Sequence, residues 1–279
     1  MAIAGHDVFL IEIPAQNERA EPVLILHGYP SSSYDWHLVV PAIGRERRVV
    51  CFDFLGFGLS AKPKDHRYSL FEQADVATAC ASRMGIETCA LLAHDMGASV
   101  GGELLARSIE NSLPFEISKR VWTNGSIYMD LVQLSAGQQL LLQLPDEVIP
   151  EEASPTRELI RESLAATCAP ENRPPDEELD AWWELISHED GHRLLARTIR
   201  YIGERRVHEA RWTGAIERHP SPLTIVWGDR DPIAVFAMAE RLRERRPDAS
   251  LVRLDGVGHY PMLESPGRFS EAVVSALAR

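Results

Sequence analysis

The sequence predicts an α/β fold: a doubly wound, mostly parallel sheet with a helical segment inserted into it. Three observations carry this reading. Short, wholly apolar runs such as Val23-Leu24-Ile25-Leu26 and Val49-Val50-Cys51-Phe52 lack polar alternation, as expected of parallel strands covered on both faces. Helical spacing alternates with these runs, which implies right-handed crossovers. From Gly125 to about Trp212, strand-like runs vanish and helical spacing dominates. The expected division is a core of residues 1–124 and 213–279 around an inserted helical unit of residues 125–212.

In chain order, Asp7 to Ile13 reads as an early strand ended by Pro14. Val23 to Leu26 runs into the turn His27-Gly28-Tyr29-Pro30, and Val49 to Asp53 into the loop Leu55-Gly56-Phe57-Gly58-Leu59-Ser60. Ser69 caps a helix, with Glu72 three residues on predicting a capping box, and that helix stops near Gly85. A strand at Cys89 to Leu92 precedes a small-residue helix from Ala98 to Leu105, and a strand at Arg120 to Asn124 follows. Inside the insertion, helices are expected over Leu131–Leu144, Thr156–Thr167, Asp176–Ile186 and Gly191–Gly203, separated by prolines. Strands resume at Leu223 to Trp227 and Leu251 to Leu254, and a helix from Arg268 closes the chain.

Composition narrows the function classes. The 279 residues are 45% hydrophobic and 25% charged, an ordinary globular balance. The formal charge of -12 opposes nucleic-acid binding, since phosphate contact needs a basic surface. The basic clusters at Arg45 to Arg48 and Arg193 to Arg211 are interleaved with Glu and read as solvated faces. Cys51, Cys80, Cys89 and Cys168 have no metal or redox spacing, so buried free thiols in a reducing compartment are expected. No apolar run approaches a membrane span or a signal peptide, so a cytoplasmic enzyme is expected. The sequence leaves oligomeric state open.

The chemistry is concentrated at Ala93-His94-Asp95-Met96-Gly97, between an apolar run and a helix. A strand, a sharp turn and a helix with the reactive residue at the bend form a nucleophile elbow, usually written G-x-S-x-G. Here Asp95 stands at the reactive position. After the strand ending at Trp227 comes Gly228-Asp229-Arg230-Asp231, and after Leu254 comes Asp255-Gly256-Val257-Gly258-His259. All follow strands, on the sheet edge where such folds bind ligands. His259 is the candidate base and Asp231 the acid that orients it, with Asp229 as the rival.

Asp in place of Ser changes what can react. A carboxylate attacking an ester carbonyl gives an anhydride, a poor intermediate. Displacing a leaving group at saturated carbon, it gives an ordinary alkyl ester. It is ionised already and requires no base for that attack. His259 would then drive water at the ester carbonyl. The backbone N–H groups of Met96 and Tyr29 are the candidate oxyanion donors.

These motifs, in the order nucleophile, acid, histidine, resemble the α/β-hydrolases with an Asp nucleophile, the epoxide hydrolases and haloalkane dehalogenases. Pro30-Ser31-Ser32-Ser33-Tyr34-Asp35-Trp36, Phe52 to Gly58 and Tyr68 to Ala74 are similar to the mesoderm-specific-transcript branch. The resemblance covers the whole chain and matches the insertion to a helical cap. It implies an α/β-hydrolase fold, no cofactor, no metal and a small apolar substrate. The other place a hydrolase carries its acid holds Asn124. Dehalogenases put Trp after the nucleophile and often Asn after His-Gly. Met96 and Tyr29 stand there instead, and a thioether donates nothing to a halide.

Epoxide opening needs a proton donor, and the resemblance implies a cap tyrosine: Tyr201, with Tyr128 as second candidate and Trp36 as a further substrate contact. Trp182-Trp183 reads as packing between insertion and core. His188-Glu189-Asp190-Gly191-His192 fits H-E-x-x-H, but Asp-Gly at its centre predicts a helix break rather than a zinc helix. The expected activity is epoxide hydrolysis, with dehalogenation or a non-catalytic binding protein as alternatives.

Overall fold

The computed structural model describes residues 1–3, 5–15 and 20–278. A hairpin of β1 (Ala2–Ile3) and β2 (His6–Asp7) precedes a seven-stranded sheet. Its strands are β3 (Leu10–Ile13), β4 (Val23–Leu26), β5 (Val49–Phe52), β6 (Thr88–His94), β7 (Glu116–Thr123), β8 (Leu223–Gly228) and β9 (Ser250–Leu254), in the order β3-β5-β4-β6-β7-β8-β9. β3 runs antiparallel to β5 and every other pairing is parallel. The carboxyl ends of β4 to β9 therefore share one edge. All four residues of β4 and of β5 are buried, as their unbroken apolar runs require.

The helices are α1 (Val40–Ile43), α2 (Leu70–Arg83), α3 (Met96–Ile109), α4 (Ala136–Gln143), α5 (Arg157–Ala165), α6 (Asp176–Ser187), α7 (Leu195–Thr198), α8 (Tyr201–Arg218), α9 (Ala237–Arg245), α10 (Pro261–Glu264) and α11 (Pro266–Ala278). Those from α4 to α8 fill the connection between β7 and β8, and no strand interrupts them. This is a mostly parallel, doubly wound sheet with a run of helices inserted between β7 and β8. α8 runs straight across the expected division between Trp212 and Thr213, and its departure from helical geometry lies at His208 (φ −107°, ψ 16°).

Four local expectations need correction. The early strand splits into β2 and β3, because Phe9 N–H bonds the Ser60 hydroxyl instead of a strand. The helix expected from Leu131 starts only at Ala136, where Ser135 and Gln138 form a capping box. Ser69 does cap α2, but Glu72 turns to His66 (2.6 Å). Glu204 of α8 takes its place, accepting from the Ser69 hydroxyl and the Leu70 N–H (both 2.6 Å). The Gly191–Gly203 helix is also broken: a 3-10 stretch at His188–Leu194 carries left-handed Glu189 and Asp190 and is followed by α7 and α8. That break separates the two imidazoles of the H-E-x-x-H pattern, and no metal-holding group of three His, Cys, Asp or Glu occurs among the described residues. No helix among them is long and apolar enough to cross a membrane.

The insertion is tied to the core by polar contacts under a largely apolar interface. Trp182 of α6 donates its indole N–H to Asp35 (2.9 Å), which also accepts from Ser31 (2.5 Å). Burial pushes the Asp35 carboxyl up to about 7. Cys51, Cys80, Cys89 and Cys168 are free and buried.

Candidate active site

Asp95 sits between β6 and α3 with φ 46° and ψ −117°, a backbone state that costs energy and holds its side chain forward. Small neighbours make this possible. A Cβ on Gly97 would stand 2.5 Å from His27 O and 2.6 Å from Leu26 O. One on Gly28 would stand 2.7 Å from Asp95 Cβ. The elbow thus fits because Gly97 brings no side chain against the Leu26 and His27 carbonyls and Gly28 none against Asp95.

Tyr29 N–H donates to Asp95 Oδ2 (2.8 Å). Met96 is the first residue of α3, so its N–H has no partner four residues back. Of the two amides expected to serve a developing oxyanion, that of Tyr29 meets this carboxylate and that of Met96 follows it directly in the chain. On its other side, His259 Nε2 lies 3.9 Å from Asp95 Oδ1. That is too long for a hydrogen bond and suits a bridging water.

His259 Nδ1 is 2.8 Å from Asp231 Oδ2. Asp231 is anchored by the N–H groups of Ile233 (2.8 Å) and Ala234 (3.0 Å) and by Asn124 Nδ2 (2.7 Å). The rival Asp229 is turned outward to Arg253 (2.6 Å) and Gly256 N–H (2.7 Å). Asn124, left-handed at φ 40°, also accepts from Gly228 N–H (3.0 Å) and so fixes the loop that carries Asp231. Burial pushes the His259 imidazole down, but the charge and hydrogen bond of Asp231, then the charge of Asp95, raise it to about 9. His94, next to Asp95, moves the other way, to about 4, through burial and the neighbouring His259 charge. It is neutral, and its Nε2 meets His259 O at 2.8 Å.

Glu264 completes the frame. Its carboxylate accepts from the N–H groups of Gly258 (2.7 Å), Tyr260 (3.0 Å) and Ala169 (2.9 Å). It thereby locks both residues flanking His259 and ties them to the insertion. Sequence reasoning missed Glu264 and the bonding role of Asn124, because a lone Glu or Asn gives no spacing signal.

A cavity of about 350 Å³ opens above His259 and Tyr29. Leu140, Leu141, Leu159, Ile160 and Leu164 of α4 and α5 form its insertion wall. Tyr201 is buried, its ring 5.5 Å from that of Tyr29, and its phenol is pushed up by burial and by the Asp95 charge. Tyr128 does not join this wall: its hydroxyl donates to Glu217 (2.9 Å) and Arg241 covers its ring. Trp36 is also displaced from the expected role. The 3-10 turn Ser33–Trp36 sends it into the core, where it packs beside His94 and Phe269. Trp182 packs on Tyr260 at the same interface.

Comparison with known proteins adds lineage to this geometry. Residues 21–266 match the family model described as the alpha/beta hydrolase fold. LipZ of Mycobacterium tuberculosis is 40% identical over 255 residues, covering 91% of this chain and 88% of that one. The mesoderm-specific transcript protein of Mus musculus is 35% identical over 266 residues, covering 90% and 77%. The solved structure of an alpha/beta hydrolase fold protein from Burkholderia ambifaria superposes with a TM-score of 0.81 at 22% identity, covering 99% and 96%.

Proposed function

The chain belongs to the α/β-hydrolase fold family, and from that premise we propose that it is a hydrolase that opens epoxides to diols through an alkyl ester on Asp95. The observation that carries this reading is a carboxylate, not an alcohol, at the strained bend, held by one backbone amide and with an imidazole nitrogen 3.9 Å from its other oxygen. Asp95 Oδ1 attacks an epoxide carbon and the ring C–O bond breaks with its electron pair on oxygen. The Tyr201 phenol protonates that oxygen. Water held at His259 Nε2 then adds to the ester carbonyl carbon. The negative charge that develops on Asp95 Oδ2 meets the N–H of Tyr29, with that of Met96 as second donor. Collapse returns the carboxylate and releases the diol.

The raised imidazole fits this order of events. With both carboxylates charged, His259 is protonated at neutral pH. Alkylation removes the charge of Asp95, so the imidazole falls toward neutrality when a base is needed. The buried Met96 thioether and a Tyr29 hydroxyl directed at Leu195 O (3.4 Å) offer a halide little, which favours an epoxide.

His259→Gln protein mixed with styrene oxide and weighed intact tests the proposal. The expected result is an increment of one whole substrate mass on Asp95, with hydrolysis slowed by at least ~10³-fold. An adduct formed only from haloalkanes, lighter by the departed hydrogen halide, makes the enzyme a dehalogenase. Folded protein that stays unmodified by broad panels of both refutes covalent catalysis and leaves a binding protein.

A further inference from the structure

Behind the apolar cavity, sharing Gln138 and Ile233 with it, lies a recess of about 10 Å³ that also touches Ser126, Tyr201 and Arg205. Its size is about that of one water, enough for a single oxygen or halide and too small for a carboxylate group. Arg205 is 4% exposed. The other deeply buried guanidiniums are held: Arg120 donates to the carbonyls of Ile216, His219 and Ser221, and Arg246 to Asp248. Arg205 has neither hydrogen bond nor ion pair among the described residues. Glu209, one turn along α8, is occupied by Met129 N–H (2.7 Å). Desolvating an unpaired cation is costly, so a fold that keeps one has a use for its charge. Arg205 lies four residues after Tyr201, on the same face of α8.

We propose that this recess is a single-atom anion site, in which Arg205 acts through Tyr201 to stabilise the negative charge leaving the attacked carbon. The assignment rests on the alkyl-ester reading above. As Asp95 Oδ1 forms its bond to carbon, the ring C–O pair moves to oxygen and the Tyr201 proton follows. The net negative charge then sits on the Tyr201 oxygen, beside the guanidinium. The proton released when water hydrolyses the ester restores the phenol. Through-space attraction draws Arg205 to Tyr201, then to Asp95 and Glu209, and the first two agree with this transfer between two sites that one cation serves. In this assignment Arg205 is a positioning residue, and Tyr201, which lines the recess, is the group that meets the substrate oxygen.

Two measurements decide it. In the His259→Gln background, single-turnover ester formation with styrene oxide is followed for Arg205→Gln, Arg205→Lys and Tyr201→Phe. Arg205→Gln should slow it roughly hundredfold, Arg205→Lys should recover to within about tenfold of the parent, and Tyr201→Phe should be slowest. Arg205→Met should melt at or above the parent temperature, separating charge from folding. Independently of any substrate, crystals of the full chain soaked in bromide should show an anomalous peak in the recess, absent in Arg205→Gln. No bromide in the recess, or ester formation in Arg205→Gln at the parental rate, overturns the inference. Bromide in the recess with no ester from the parent keeps the anion site and removes the epoxide reading instead.

Discussion

The two walls of the cavity are built on opposite rules. On the sheet edge the polar groups that carry His259 are held: Asp231 contacts four nitrogens and Glu264 three. On the insertion side the wall is largely apolar, with leucine its most frequent residue, so that volume is the main constraint, and Arg205 lies buried with no partner among the described residues. The first rule fixes atoms to tenths of an ångström, as catalysis needs. The second fixes only a shape, so substrate choice can drift while the chemistry stays.

The same substitution in each wall should separate them most widely. Gly97→Ala drives a methyl into two backbone carbonyls that cannot move aside. A loss of ~3 kcal/mol or more is expected, together with displacement of Asp95 and loss of turnover. Gly137→Ala lies in α4, where the nearest atom would be 3.8 Å away. There the helix gains, by up to ~1 kcal/mol. Thermal melts should move in opposite directions, and melts that fall together would erase the contrast.

Glu264 is where the two walls meet, and its removal is the next largest effect. Glu264→Ala strands the N–H groups of Gly258 and Tyr260 beside His259 and of Ala169 in the insertion. A cost of ~2–3 kcal/mol should appear as a lower urea midpoint. Turnover should fall in kcat more than in KM, since the imidazole loses its seat. An unchanged kcat would mean that Asp231 alone positions His259.

This division also explains what could be read from residues alone. The elbow, the order Asp95, Asp231, His259 and the Tyr29 amide are each written into a run of a few residues, because small residues dictate a turn locally. Glu264 acts on Ala169, 95 positions away, and Glu204 caps a helix 134 positions back, distances over which spacing says nothing. Tyr128 and Trp36 show the opposite failure. An aromatic residue type predicts burial well but not direction, and packing turned both away from the cavity.

Titration sharpens the contrast at the level of charge. His259 in the fold titrates at about 9, above its ordinary 6.5. The imidazolium therefore stabilises the fold fully below about pH 6.5, and that contribution is lost as pH rises through about 9. Urea midpoints of the wild type should fall across this window by the equivalent of ~3 kcal/mol. His259→Gln should lose that slope. An equal slope in the variant would assign the titration to other groups.

The smallest effect on stability tests the apolar wall alone. Leu140 and Leu159 are 56% and 53% exposed at the cavity mouth, so replacing either with Ser should change stability by less than ~0.5 kcal/mol. A lipophilic substrate long enough to reach the mouth covers them, and each methylene it buries contributes about 0.8 kcal/mol. KM for such substrates should rise several-fold with kcat unchanged, while a short epoxide confined near Asp95 should show no change. That pattern is the signature of binding shared equally by ground and transition states. A fall in kcat at constant KM would instead carry the insertion wall into the chemical step, and the two rules would then reduce to one.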